Sequence, residues 1–276
     1  MIYYPNCKIN IGLNIIEKRD DGFHNIETMF YPVFLEDILE INLSKDKHST
    51  ITTTGLDIGN CPNEDNLCYK AYLILKKDYP QIGNVNIHLH KNIPIGSGLG
   101  GGSSDCAFTI RMLNDMFSLS LSLTDMEKYA QQLGSDCAFF LYNIPTFAFE
   151  KGDSFSSTTL SLKGKTILIV KDDTIINTKD AYKEVQVGKS EINLLNTLEK
   201  FPISSWKNFI KNDFEKPIFN MYPHLEKIKE ELYSLGALYA QMSGSGSAFY
   251  GIFDREITKE EINLLPYSFV EQQILK

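Results

Sequence analysis

The stretch Pro94-Ile-Gly-Ser-Gly-Leu-Gly-Gly-Gly-Ser-Ser-Asp105 concentrates the chemistry of this 276-residue chain. Glycine lets backbone N–H groups approach oxygen atoms with no side chain between, and the N–H groups at a helix start carry about half a positive charge. A glycine run that feeds a helix therefore suits phosphate. Gly96-x-Gly98-x-x-Gly101 satisfies the dinucleotide spacing, but Asp115 falls inside the following helical pattern, not at the end of a second strand. The Gly-Lys-Ser/Thr ending of a P-loop is absent, and so are the Val-Ala-Ile-Lys and His-Arg-Asp motifs of protein kinases.

Other residues have types suited to a site. Residues 7–15 alternate apolar with polar, which puts Lys8, Asn10, Gly12 and Asn14 on one face of a strand. His24 follows an Asp-Gly turn. Ser135-Asp136 precedes the apolar run 137–141, where Asp136 is either a helix cap or a carboxylate in a partly desolvated cleft able to act on a proton. A second glycine loop, Ser243-Gly-Ser-Gly-Ser247, either lines a cleft or simply closes a hairpin. His88 and His90 share a face, but no further ligands are spaced for zinc.

The elements that must position these residues follow from periodicity. Val85, Ile87 and Leu89 predict a half-buried strand before the glycine loop, and 107–116 a helix after it. Residues 35–43 and 49–54 read as paired strands. Asp65 or Asn66 caps a helix with Leu67, Ala71, Ile74 and Leu75 inward. Thr124 to Glu127 has the form of a capping box, and Gly134 ends that helix. The second half predicts a strand at 165–170, a helix at 206–211, a helix at 223–235, and strands at 237–242 and 248–253. The length suits two domains, divided here as 1–160 and 161–276.

Hydrophobic content of 43% and charged content of 22% are those of a soluble globular protein. A net charge of −8 argues against nucleic acid and anionic membranes as partners, so an anionic nucleotide needs local positive groups. Five cysteines without a C-x-x-C pair read as reduced thiols, and with no signal or transit segment the expected location is cytoplasmic.

The loop Pro-x-Gly-x-Gly-Leu-Gly-Gly-Gly-Ser-Ser resembles that of the galactokinase, homoserine kinase, mevalonate kinase and phosphomevalonate kinase superfamily. Six motifs in order resemble one family within it, the 4-diphosphocytidyl-2-C-methyl-D-erythritol kinases of the non-mevalonate isoprenoid pathway. They are Lys8-Ile-Asn10-Ile-Gly-Leu, Asp21-Gly-Phe-His24, Glu64-Asp-Asn-Leu67, the loop 94–104, Leu133-Gly-Ser-Asp136 and Ser243-Gly-Ser-Gly246.

The resemblance implies an α+β fold of two domains, an N-terminal ATP-loop domain and a C-terminal ferredoxin-like one, with the active site in the cleft between them. It implies an ATP-dependent kinase that phosphorylates a hydroxyl of a small molecule carrying cytidine diphosphate, as a monomer or weak homodimer. Asp136 and Lys8 match the catalytic pair. ATP would meet Pro94, Gly96, Gly98, Leu99, Gly100, Gly101, Gly102, Ser103 and Ser104, with Asn66 and Lys91 near the adenine. Asn10, Phe23, His24, Tyr182, Ser243 and Gly244 match substrate contacts, His24 reading cytosine and Phe23 and Tyr182 stacking on it. Magnesium is expected with ATP, touching Ser103, Ser104 or Asp105. This chain departs from the family pattern at Cys137-Ala138, where the second residue is usually proline, and at Asp105, where many relatives have asparagine or alanine. The alternatives are a homoserine or mevalonate-type kinase of the same superfamily, and a non-catalytic nucleotide sensor.

Overall fold

The alternation that begins at Cys7 belongs to a thirteen-residue strand whose first ten residues are all buried. Its polar face is thus as enclosed as its apolar one, which is where a fold holds residues it uses rather than solvates. The computed structural model describes every residue except Asn60 and Lys189. In chain order the strands and helices are β1 (Ile2–Tyr3), β2 (Asn6–Lys18), β3 (His24–Glu36), β4 (Ile38–Leu43), β5 (Thr50–Gly55), α1 (Leu67–Asp78), β6 (Val85–Lys91), α2 (Gly101–Met116), α3 (Leu123–Leu133), α4 (Phe139–Tyr142), β7 (Thr146–Phe149) and β8 (Ser154–Ser156). There follow β9 (Thr166–Lys171), α5 (Thr178–Glu184), α6 (Leu194–Lys200), α7 (Ile203–Trp206), α8 (Glu215–Met221), α9 (His224–Ser234), β10 (Tyr239–Met242), β11 (Phe249–Phe253), α10 (Lys259–Asn263) and β12 (Phe269–Ile274).

The chain forms two units. The first comprises Met1–Cys7, Leu35–Ile95 and Gly100–Ile144; the second comprises Lys8–Phe34, Gly96–Leu99 and Pro145–Lys276. The units interleave along the chain, unlike the linear division at residue 160, because β2 and β3 share a sheet with β7 and β8.

In the first unit the sheet order is β1-β4-β6-β5, with α2 packed on β4 and against α1, α3 and α4. Strands β4 and β5 do not pair with each other, contrary to the expectation for residues 35–43 and 49–54. Strand β6 lies between them, antiparallel to β4 (Ile41 opposite Ile87) and parallel to β5 (Ile51 opposite Ile87). That middle position explains its buried Val85, Ile87 and Leu89. His88 and His90 both reach the Thr54 hydroxyl on β5, at 3.0 and 2.9 Å.

The second unit holds β2-β3-β7-β8 and a second sheet of order β10-β11-β9-β12, antiparallel throughout, with α9 packed on β10 and β11. Helical segments fall between β9 and β10 and between β11 and β12, which is the β-α-β-β-α-β order of a ferredoxin-like sandwich. Leu225, Ile228 and Leu232 of α9 recur at helical spacing and enter one core with Leu168, Val170, Ala240 and Phe249.

Two local expectations shift. Residues 206–211 do not form a helix: α7 ends at Trp206, and the backbone of Lys211 and Asp213 instead bonds Leu13 of β2 at 2.9 Å each way. Helix α3 begins at Leu123, so its capping box is Ser122 with Asp125, and Thr124 lies inside the first turn. Gly134 does end this helix, in extended backbone (φ 175°). Ser122→Ala should therefore lower unfolding free energy by about 1 kcal/mol in urea denaturation. Thr124→Ala should cost less; the reverse ranking would return the cap to Thr124.

Candidate functional site

Strand β2 carries Lys8 and Asn10 into the interior of the second unit, each 2% exposed. The Lys8 ammonium donates to Asn10 Oδ1 and, at 3.2 Å, to the carbonyl oxygen of Gly98, and it lies 4.8 Å from the centre of the Phe30 ring. Asn10 is held from every side. Its Nδ2 donates to Thr28 Oγ1 at 3.0 Å, its backbone N–H donates to Ser243 Oγ at 3.3 Å, and its carbonyl accepts from the Tyr250 hydroxyl at 2.8 Å. Its side chain thus orients Lys8, a job distinct from the substrate contact expected of it.

The two glycine loops meet in this unit. Ser243 Oγ donates to the Gly98 carbonyl at 3.0 Å, and the Ala248 N–H donates to the Ser97 carbonyl at 3.0 Å. Gly98 has φ +77°, and a Cβ there would lie 1.9 Å from the Ser243 carbonyl oxygen. No side chain fits. A Cβ on Gly244 would lie 3.3 Å from the Gly98 Cα, so both loops need glycine at the crossing. The segment 243–247 is therefore no loose hairpin end. It is secured from below by Asn212, whose Nδ2 donates at 2.8 Å to the carbonyls of both Met242 and Gly244.

His24 and Tyr182 also come together, as parallel rings with centroids 4.6 Å apart. Phe214 abuts Tyr182 edge-on at 4.8 Å. At that separation no base fits between His24 and Tyr182; Phe23 is 54% exposed with the Lys151 ammonium over its ring. Burial, helped by the charge of Lys18, lowers the His24 pKa, so the ring is neutral at neutral pH with one donor and one acceptor nitrogen.

In the first unit, the start of α2 is a separate feature. Gly100, in left-handed conformation (φ 73°), precedes it, and its carbonyl accepts from the Ser104 N–H. The N–H groups that no helix partner can take point out of this end. Asp136 sits in the turn between α3 and α4, half-buried, closed by the Cys137 N–H to the Gly134 carbonyl at 3.1 Å. It is not a helix cap, because α4 follows Ala138. A Cβ on Gly134 would lie 3.0 Å from Cys137 Sγ and 4.0 Å from Ser103 Oγ, so this turn packs against the first turn of α2. The free thiols of Cys137 and Cys106 of α2 are hydrogen-bonded, which with burial raises the Cys106 pKa.

Asn66 and Lys91, expected near the adenine, both have partners within the first unit. Asn66 caps α1, accepting from the Cys68 N–H at 2.9 Å. Lys91 is 3% exposed and ion-paired to Asp37 and, at 2.7 Å, to Asp105, which are 0% and 2% exposed. Asp37 also accepts from the N–H groups of Asn92 and Ile93, at 2.6 and 2.9 Å. Burial raises the Asp105 pKa to about 8; Lys91 pulls it down and Asp37 pushes it up. A carboxylate so enclosed and engaged does not fit a metal carried by an exposed phosphate. Ser104 Oγ is likewise buried, without a hydrogen-bond partner among the described residues, whereas Ser103 is half-exposed. No cluster of three or more His, Cys, Asp or Glu able to hold a metal occurs among the described residues.

The run Asn212-Asp213-Phe214-Glu215 escaped sequence reading because Asn-Asp reads as an ordinary turn. Within it Asp213 accepts from the Ile15 N–H at 2.7 Å, and Glu215 from the Met242 N–H at 3.0 Å.

Comparison with known proteins gives one answer. Residues 66–143 match the GHMP kinases N terminal domain and 197–263 the GHMP kinases C terminal domain. A 4-diphosphocytidyl-2-C-methyl-D-erythritol kinase of Bacteroides fragilis (strain YCH46) is 50% identical over 94% of this chain and 95% of its own. One from Cytophaga hutchinsonii is 48% identical over 92% and 93%. Among solved structures, a 4-(cytidine 5'-diphospho)-2C-methyl-D-erythritol kinase matches with TM-score 0.75 at 28% identity, covering 91% of this chain and 90% of that one. The mevalonate kinase of Methanococcus jannaschii shares the fold, with TM-score 0.69 at 18% identity over 99% and 96%.

The buried cluster yields two stability tests. Lys91→Met leaves two enclosed acids without their cation and should cost about 3–5 kcal/mol in chemical denaturation. Asp105 holds its proton up to about pH 8 when folded but only to about pH 4 unfolded. Its contribution is complete below the lower value and declines as pH rises through that window. Asp105→Asn does not titrate, so its stability relative to the native chain should climb from pH 5 to pH 8, and a constant difference would contradict the assignment.

Proposed function

This chain belongs to the 4-diphosphocytidyl-2-C-methyl-D-erythritol kinase family of the GHMP kinases, and on that premise we propose that it transfers the γ-phosphoryl group of ATP to a hydroxyl of 4-diphosphocytidyl-2-C-methyl-D-erythritol, giving the 2-phosphate. The observation that carries this reading is the crossing of the two glycine loops at Gly98, Ser243 and Gly244, beside the buried Lys8, in a chain so similar to those kinases. No helix of the described residues is long and apolar enough to cross a membrane. We place the enzyme in the cytoplasm, as a monomer or weak homodimer.

The chemistry assigns each residue a task. The bond from the γ-phosphorus to the bridging oxygen breaks, ADP leaves, and a bond forms to the substrate hydroxyl. Such transfers depend on alignment and on neutralising charge more than on covalent help. The glycine residues 96–102 bring backbone N–H groups to the phosphates, with Pro94 and Leu99 shaping the loop. Asp136 takes the hydroxyl proton or orients that hydroxyl. Lys8, aimed by Asn10, stabilises negative charge on the moving group. Ser103 is the hydroxyl that fits the magnesium ion accompanying ATP, which would offset phosphate charge.

The base is assigned to the His24–Tyr182 pair. Since these rings already stack on each other, cytosine lies outside the pair, with the neutral His24 offering one donor and one acceptor to its edge. Phe23 is exposed and thus accessible to cover it. Homoserine and mevalonate make no use of such rings. Phosphoryl transfer from ATP, assayed with the diphosphocytidyl substrate, homoserine, mevalonate and phosphomevalonate in parallel, separates the readings; turnover of any but the first would sink the proposed substrate, and a non-catalytic sensor would turn over none.

Asp136→Asn should lower kcat by at least about a hundredfold, the low end for losing a proton acceptor, with ATP affinity by calorimetry within about twofold. Lys8→Met should also reduce kcat, and the double variant should fall short of the summed effects if the two act as a unit. Near-normal turnover of a folded Asp136→Asn protein would move the acid elsewhere.

A further inference from the structure

The segment Asn212-Asp213-Phe214-Glu215 touches both halves of the chemistry assigned to the second unit. On one side, Asn212 Nδ2 bridges the Met242 and Gly244 carbonyls at 2.8 Å, and Glu215 accepts from the Met242 N–H at 3.0 Å. These bonds fix the backbone at both sides of Ser243, whose hydroxyl reaches the Gly98 carbonyl. Asn212 is 2% exposed and its Oδ1 accepts from the Phe214 N–H at 3.0 Å, so its amide is oriented with no solvent in play. On the other side, Phe214 presses edge-on against Tyr182, which stacks on His24. Asp213 closes the arrangement through the Ile15 N–H, and Lys211 and Asp213 pair with Leu13, which binds the segment to the strand that carries Lys8 and Asn10.

We propose that Asn212 and Phe214 are positioning residues of the reaction, Asn212 setting the second glycine loop against the first and Phe214 setting the ring stack that receives the base. One short segment thereby registers the phosphate side of the second unit against its base side. Neither residue touches the reacting atoms. Each acts through its neighbour: Asn212 through the Ser243–Gly244 backbone, Phe214 through Tyr182. This rests on the kinase reading given above. It adds a division of labour that the reading does not contain, since adjacent residues in one turn should control different kinetic constants.

Phe214→Leu keeps an apolar side chain in the core and removes the ring edge. It should raise KM for the diphosphocytidyl substrate about fivefold, the order expected from one aromatic contact, with kcat and the KM for ATP within about twofold. Phe214→Tyr retains the edge and should restore KM. Asn212→Asp has the same shape without the two donated bonds, and should lower kcat about tenfold or more with KM for that substrate little changed. Calorimetric titration of each variant with CMP gives the fraction of folded, binding-competent protein, so a kcat lowered only by misfolding is recognised and corrected. Leucine performing as well as tyrosine, or both variants changing all constants in parallel per competent molecule, overturns the proposal. A native chain that fails to phosphorylate the diphosphocytidyl substrate overturns the kinase reading and this inference together, whereas a native chain that does so beside an unaffected Phe214→Leu overturns the inference alone.

Discussion

Much of the second unit depends on one backbone crossing. The Gly98 α-carbon comes so near the Ser243 carbonyl that a methyl group would overlap it, and no rotamer relieves a clash with backbone. From that contact the surroundings follow. The Gly98 carbonyl accepts from both Ser243 Oγ and the Lys8 ammonium, so one oxygen ties the first glycine loop to the second and to β2. Asn10 sits between, accepting from Lys8 while its own N–H donates to the Ser243 hydroxyl. A hydrogen bond to a charged donor is worth roughly twice a neutral one, and enclosure strengthens both. Displacing either loop would break several of these bonds at once.

Two buried lysines show how different environments give one residue type different uses. Lys91 is paired with two buried acids; burial opposes its charge, but Asp105 and Asp37 outweigh that and raise its pKa. Its cation is consumed in holding β6, the chain at Asp37 and α2 together. Lys8 instead meets an amide oxygen, a carbonyl and an aromatic face. These partners aim the ammonium, which suits a group assigned to a transferring phosphoryl.

What the sequence made legible was whatever has a local cause. The strand at Val85, the glycine loop, the Asn66 cap and the second-half hairpin all follow from period and turn chemistry within a few residues. Lys8 with Asn10 was legible because period-two alternation places them on one face. Strand order was not: β6 separates β4 from β5 through a connection that no local pattern encodes. Nor was the burial of Lys91, since its carboxylates lie 54 residues before it and 14 after. Asn212 and Phe214 were missed for the same reason, their partners being set by tertiary packing. His24 and Tyr182 were paired through a family resemblance, and the direct stacking of one on the other was visible only in three dimensions.

A chain of net charge −8 that is assigned a highly anionic nucleotide needs its attraction to be local. Screening makes this feasible: beyond about 8 Å at physiological salt, exposed charges contribute little. What counts is the immediate field at the start of α2, where unpaired N–H groups face outward and no acidic residue occupies the first turn. The nearest acid in the helix is Asp105, one turn further in. Its burial raises its pKa to about 8, and Lys91 lies against whatever charge it does carry. The fold thus keeps the charge of Asp105 away from phosphate at the helix start, while the surface keeps the acids that make the whole molecule anionic.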